Sequence, residues 1–455
     1  LRLIIVGWIL SHSVVSADIL LVDPSTPGAY SSVDDAVNDA LSGDTVRIAP
    51  GTYDEPGFIT ILNKTILIES VSGDPTDTII RNEFEKTGSV IQVLGVTGEL
   101  QLKSVTVQDG MSSNGGGLGV ASGAHASVFN CIFKNNFSTF IGGGIYVDDE
   151  SSLSINSSMF IGNTTDGEGG GIGAKCIKSV GQPTSGFTID RCSFIGNSAA
   201  FGGGAYLGDP ESRLTGVAPV ISNCLFSGNH ASGLGGGCVM VPVKHPESVL
   251  TASGIIRNST FYGNSAALDP ALRLVRSNDA GVEVLSIQDS IVWGNDGPRS
   301  NPFDDVSAIS SYLFCCIDFL SELPGGLVLN CIGIDPQFSD SDGADDTIGT
   351  EDDDLRVSPG SPVIDAGNNE YLGFEVFDLG GNNRVLDDPT VIDTGEGMGA
   401  IVDIGAYEFN IADVSKSTAI WYGTEDAFFK DMDDPANWWD GNLPAASGKT
   451  LLYGP

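Results

Sequence analysis

Basic side chains are scarce in this chain: 21 Lys and Arg stand against 59 Asp and Glu, a formal charge of −38. Phosphate backbones are held by Lys and Arg patches, so this balance argues against nucleic acid as a partner. Bare anionic polysaccharides such as pectate are repelled as well, unless cations bridge them. Histidine is limited to His12, His125, His230 and His245, and no stretch concentrates Lys or Arg. No Cys-x-x-Cys pair exists, which argues against zinc. Beyond the amino terminus no run of about 18 apolar residues occurs, so no transmembrane helix is expected. The repeats sustain no 3.6-residue apolar period, and the Asn-Gly turns that an antiparallel sandwich or propeller needs at every step are scarce.

What the chain does have is a repeat. Six phrases end in Asn three residues after a bulky apolar residue: Phe133 to Asn136, Phe160 to Asn163, Phe194 to Asn197, Phe226 to Asn229, Phe261 to Asn264 and Val292 to Asn295. Between them lie glycine triplets at 115–117, 142–144, 169–171, 202–204 and 235–237. Two phrases in step over successive copies imply stacked supersecondary units. The pieces are short, β-branched or aromatic, and closed by Gly-Asn, which reads as strand plus turn. Units of this length stacking in parallel suit a coil of strands that buries a continuous core. In Ile189–Ile195, strict alternation puts 190, 192 and 194 on one face and 189, 191, 193 and 195 on the other.

The repeated Asn is expected at a left-handed bend, with its amide bonded to the equivalent Asn above and below. The glycines are expected either to adopt conformations closed to other residues or to keep a tight corner clear of side chains. Two residues before each anchor stands a small residue, Cys131, Ser158, Cys192, Cys224, Ser259 or Ser290, an inward-facing column. The eight cysteines are an even number in a seemingly exported chain. Cysteines in one column read as stacked small residues, though neighbouring coils could allow Cys192–Cys224, and Cys315, Cys316 and Cys331 could pair locally.

Residues 1–17 carry Arg2, an apolar run and the ending Val15-Ser16-Ala17, which reads as a secretory signal and a secreted or cell-surface location. The segment from Asp18 opens a β-helix expected to span 18–330. It contains a helix at Ser32–Leu41 with Ser32 as N-cap and Val33, Ala36, Val37 and Ala40 on one face, able to cover the open end of the coil. Residues 331–412 form an acidic module with a different vocabulary. Residues 413–455, with Trp421, Trp438 and Trp439, look like the start of a further β module.

The phrases Gly143-Gly144-Ile145 with Phe133 to Asn136, and Gly170-Gly171-Ile172 with Phe160 to Asn163, resemble the repeats of polymorphic outer membrane proteins and of bacterial right-handed parallel β-helix repeat proteins. Ala205 and Cys238 stand where Ile is expected in later copies. The amino-terminal stretch resembles the cap of pectate-lyase-like β-helices. Leu355 to Gly367 and Val402 to Glu408 resemble the choice-of-anchor Q segment of bacterial surface β-helix proteins. These resemblances imply an all-β, right-handed parallel β-helix with a capping helix and an appended carboxy-terminal β segment, displayed on or released from the cell. They imply no activity.

From Asp335 to Asp354, nine carboxylates fall within twenty residues, with no Lys or Arg before Arg356. Hard oxygen ligands around a Gly turn point to Ca²⁺ at Asp340, Asp342, Asp345, Asp346, Asp352, Asp353 and Asp354, although the EF-hand spacing is absent. Outward acids Asp148, Asp149 and Glu150, or Asp166 with Glu168, could serve hydrolysis. No catalytic constellation forms, and the Gly-His-Gly and Asn-x-Asp set of pectinases is missing. The expected role is therefore structural, adhesive or glycan-binding, with an extracellular polysaccharide or surface protein as partner and Tyr146, Tyr206 and Tyr262 near coil corners. The alternative is a polysaccharide-degrading lyase or glycosidase of the same fold.

Overall fold

The computed structural model describes residues 17–82, 87–175, 188–208, 219–241, 254–274, 283–299, 308–323, 328–373 and 376–410, with two short strands, Thr418–Trp421 and Thr450–Tyr453. The signal segment and most of 413–455 lie outside the described residues, as do Cys176 and His245.

Every strand from Ile19 to Leu329 pairs in parallel with its counterpart one coil away. Among the described residues the first face has twelve strands, from Ile19–Val22 to Val328–Leu329. A second has ten, Gly51–Glu55 to Cys316–Ile317, and a third has eight, Ile59–Leu62 to Leu272–Leu274. From Met111–Asn114 to Ser265–Leu268 a six-stranded ribbon widens the corner between the second and third faces. This is an all-β right-handed parallel β-helix. The coils outlast the Asn phrase, since Ala308–Leu313 and Cys316–Ile317 still pair with the preceding coil.

The core is built in columns. Phe133, Phe160, Phe194, Phe226 and Phe261 stack with ring centroids 5.2, 4.8, 4.5 and 4.6 Å apart and planes within 7°. Beside them the repeated asparagines form a closed ladder. Asn163 Nδ2 donates to Asn197 Oδ1 at 3.0 Å and to the Phe133 carbonyl at 2.9 Å, and the Asn163 backbone N–H donates to the same Asn197 oxygen at 2.9 Å. The pattern repeats through Asn229, Asn264 and Asn295. A buried amide with all its valences met stabilises the stack, whereas an unmet one would destabilise it.

The left-handed residue at this bend is the one before the ladder. Asn135, Gly162, Gly196, Gly228, Gly263 and Gly294 have φ between 54° and 64°, and the ladder asparagines do not join them. In the triplets the two expected roles fall to different glycines. The first, such as Gly142 at φ 67°, takes the left-handed turn, while a Cβ on the third, Gly171, would meet the Phe194 ring at 2.9 Å.

Ile189–Ile195 is not one alternating strand. Arg191, at φ 50°, turns the chain between Thr188–Asp190 and Ser193–Ile195, so Ile189, Cys192 and Phe194 all face the core. Asn130, Ser157, Asn223, Asn258, Asp289, Phe314 and Asn330 turn the equivalent corner. Each is followed by the small column residue, and the side chains of Ser158, Cys224, Ser259, Ser290 and Cys331 accept the N–H of the column residue one coil before, as in Cys131 to Ser158 at 3.1 Å and Cys192 to Cys224 at 3.4 Å. Cys315 and Cys331 extend the column. The seven described cysteines are free thiols, and burial pushes Cys131 up to about 12.

The helix Val33–Asp39 packs Val33, Ala36 and Val37 onto the first coils. Ser32 Oγ accepts from Asp35 N–H, as expected of an N-cap. Glu55, from a neighbouring strand, accepts the Val33 and Asp34 N–H groups at 2.8 and 3.1 Å. Lys64 Nζ reaches the Ala40 carbonyl at 3.1 Å, at the negative end of the helix.

Candidate functional site

The acidic run lies in a hairpin loop. Phe338–Asp340 pairs antiparallel with Asp354–Val357, and the chain between them reverses through Gly343 at φ 61°. Asp345, Asp352 and Asp353 gather on one hydroxyl: Thr350 Oγ1 lies 3.4, 2.6 and 3.3 Å from their Oδ1 atoms. Asp352 Oδ2 also accepts the N–H groups of Ala344 and Asp345. The Thr350 hydroxyl, with these amides, holds Asp352 below the ordinary carboxylate value. Asp353 Oδ2 accepts from Gly349 N–H at 2.7 Å and Ser227 Oγ at 3.3 Å, yet burial raises its pKa. Asp354 faces Arg356, at 2.8 and 2.6 Å. Asp340 ends the first strand, Asp342 offers its carbonyl to Thr347, and Asp346 takes a left-handed backbone at φ 56°.

The loop is laid against the β-helix along the column of left-handed residues. A Cβ on Gly228 would come within 2.3 Å of Gly349 Cα, one on Gly196 within 2.7 Å of the Gly349 carbonyl, and one on Gly263 within 2.4 Å of Ile348. Glycine at these turns thus serves twice, supplying the turn and the flat seat. Lys134 pairs with Glu351, and the Tyr262 hydroxyl donates to Ser341 Oγ at 3.0 Å while its ring meets Phe338 edge-on at 5.0 Å.

The rest of the segment shares a core with the solenoid. Val357, Val363, Ile364, Ile404 and Phe409 pack with Ile291 and Cys316 of the last coils. Ala406 N–H donates to Thr260 Oγ1 at 3.0 Å, and Asn368 N–H to Asp289 Oδ1 at 2.8 Å. Arg384 is 1% exposed and lies 3.5 Å from the Glu408 carboxylate, itself buried. Around it Asp403 accepts the N–H groups of Asp365 and Phe409, and Asp378 accepts that of Glu408. Burial pushes Asp289 and Asp403 up to about 7 and raises Glu408 well above its ordinary value, with Arg384 opposing in each case. The wording that marked this segment in sequence, Leu355 to Gly367 and Val402 to Glu408, supplies much of this shared core.

The remaining candidates are spread over separate coils of the solenoid. Asp148 accepts the N–H groups of Ser122 and Glu150, and Asp149 and Glu150 are exposed. Glu168 bridges Ile141 to Phe201 through its backbone. His125 and His230 each bond to a serine in register one coil on, Ser152 at 2.8 Å and Ser265 at 2.9 Å. Tyr206 is buried with Val239 and Val241. Sequence reasoning missed Phe140 and Phe201, which stand 63% and 39% exposed on the six-stranded ribbon, two coils apart. Apolar side chains that break the polar outer pattern of the repeat were the available signal.

Residues 65–241 match the family described as right handed beta helix region. Among solved structures, a pectin methylesterase from Aspergillus niger is similar at 16% identity, over 64% of this chain and 88% of that one, with a TM-score of 0.35. The PL6 family alginate lyase AlyGC is similar at 13% identity, over 66% of this chain and 40% of that one, with a TM-score of 0.41. No curated protein matches the sequence. Among the described residues no helix is long and apolar enough to cross a membrane.

Proposed function

We propose that this chain is a secreted or cell-surface β-helix with a structural and adhesive role, exercised by binding extracellular polysaccharide. The supporting observation is the ribbon. Phe140 and Phe201 are both exposed on this ribbon, two coils apart, with Phe201 aligned through Glu168 to Ile141, the residue after Phe140, and Met111 on the same ribbon is 49% exposed. Exposed aromatic faces on a rigid solenoid suit a linear polymer of sugar rings. With a charge of −38, a neutral polymer is favoured over an anionic one. The acidic hairpin belongs to the same reading. Asp345, Asp352 and Asp353, which meet at the Thr350 hydroxyl, are the loop acids proposed to bind Ca²⁺, with Asp340, Asp342, Asp346 and Asp354 flanking them. A glycan array probed with the wild type and with Phe140→Ala/Phe201→Ala tests the ribbon. Binding to neutral glycans that falls at least tenfold in the double variant supports it, and binding unchanged by the substitutions removes the ribbon from the account.

A further inference from the structure

We propose that Asp365, Asp387 and Asp393 form a second cation site, distinct from the hairpin loop, that takes a Ca²⁺-class divalent ion. One carboxylate oxygen from each lies within 4.8 Å of the others. The residues come from separate stretches of chain, so folding rather than local composition brings them together.

One observation independent of the acidic cluster points to a ligand there. Asp365 is fully buried, and its Oδ1 has no hydrogen-bond partner, while Oδ2 accepts only the Asp388 N–H at 3.3 Å. Leaving a buried carboxylate oxygen without a donor is costly, and native folds rarely do it without cause. Three like charges at this separation repel, and a divalent ion removes both the repulsion and the missing donor.

Ca²⁺ holds oxygens at about 2.3–2.6 Å, so its shell is roughly 5 Å across and accommodates carboxylate oxygens that lie within 4.8 Å of one another. Asp387 and Asp393 are exposed, leaving one side open for the waters that complete six to eight ligands. The ion would tie the 387–393 loop to the turn at Asp365, whose carbonyl already accepts the N–H groups of Thr394 and Gly395. Three residues further on, Asn368 N–H bonds to Asp289 of the solenoid. The site therefore fastens the carboxy-terminal segment where it meets the β-helix.

Calorimetric titration of the chelator-treated full chain with Ca²⁺ alone, and with Mg²⁺ alone, tests this. The wild type is compared with Asp387→Asn/Asp393→Asn, with each single substitution, and with Asp345→Asn in the hairpin. Both triad positions tested are exposed, so equal melting temperatures in chelator establish that the variants fold. The expected result is that the double variant loses one equivalent of Ca²⁺ or binds it at least tenfold more weakly, each single variant is weakened, and Asp345→Asn retains that equivalent. No Ca²⁺ uptake by the wild type, or the same stoichiometry and Kd in the double variant, overturns the proposal. Loss confined to Asp345→Asn also overturns it, by assigning the binding to the hairpin.

Discussion

Asn197 donates its side-chain amide to Asn229 Oδ1 at 2.9 Å, and its backbone N–H reaches the same oxygen at 3.0 Å. One side-chain oxygen thereby joins two coils through two donors, in a position with no exposure to water. Replacing Asn197 with Ala removes the acceptor of the Asn163 N–H, one of the two acceptors of Asn163 Nδ2, and the amide donor to the Phe160 carbonyl. We expect a loss of about 3 kcal/mol or more in stability. Denaturant unfolding checks this against Asn38→Ala, an exposed helix position expected to change stability little.

Gly228 and Gly162 share the same left-handed backbone, at φ 61° and 60°, but have different neighbours. A Cβ at Gly162 meets only the end of the Asn135 side chain at 2.8 Å, whereas at Gly228 it meets the backbone of Gly349 at 2.3 Å. Both Gly→Ala changes should lose about 1 kcal/mol or more through the turn itself. Only Gly228→Ala should also lift the hairpin from its seat. Hydrogen exchange at the Gly349 and Asp353 amides separates the two effects: it should accelerate in Gly228→Ala and stay unchanged in Gly162→Ala.

Asp289 connects the solenoid to the carboxy-terminal segment while buried, with Oδ2 unpartnered. Burial pushes its pKa up to about 7, against the opposing Asn368 amide and Arg384 charge and with Cys331 adding to the rise. The folded state therefore holds a proton there that the unfolded chain releases near pH 4. Stability is greatest at or below that value, falls as pH rises towards 7, and levels off above it, by on the order of a few kcal/mol. Asp289→Asn should flatten this part of the profile and raise the melting temperature at pH 8. A profile of the same slope in both proteins would show that Asp289 does not carry it.

The stacked columns were legible because the same residue type recurs at the same offset: Phe for the ring stack, Asn for the ladder, Gly for the triplets. The corner at Arg191 was not, because Asn, Ser, Arg, Asp and Phe all fill it, and no composition marks a left-handed turn that tolerates five side chains. Local density drew attention to 340–354. Sequence showed the acids there but not their seat on Gly196, Gly228 and Gly263, which depends on coils distant in the chain. Asp365, Asp387 and Asp393 were missed for the opposite reason, since each is an ordinary acid until the fold brings it to the others.

The central functional claim is that the solenoid holds polysaccharide without cleaving it. The most direct measurement incubates the full chain, with Ca²⁺ present, with each polymer that it binds, and follows chain length and released reducing or unsaturated ends. The account predicts polymer retained on the protein at unchanged length, with retention reduced by Phe140→Ala/Phe201→Ala. Progressive shortening, or new unsaturated ends, would contradict it and make the protein an enzyme.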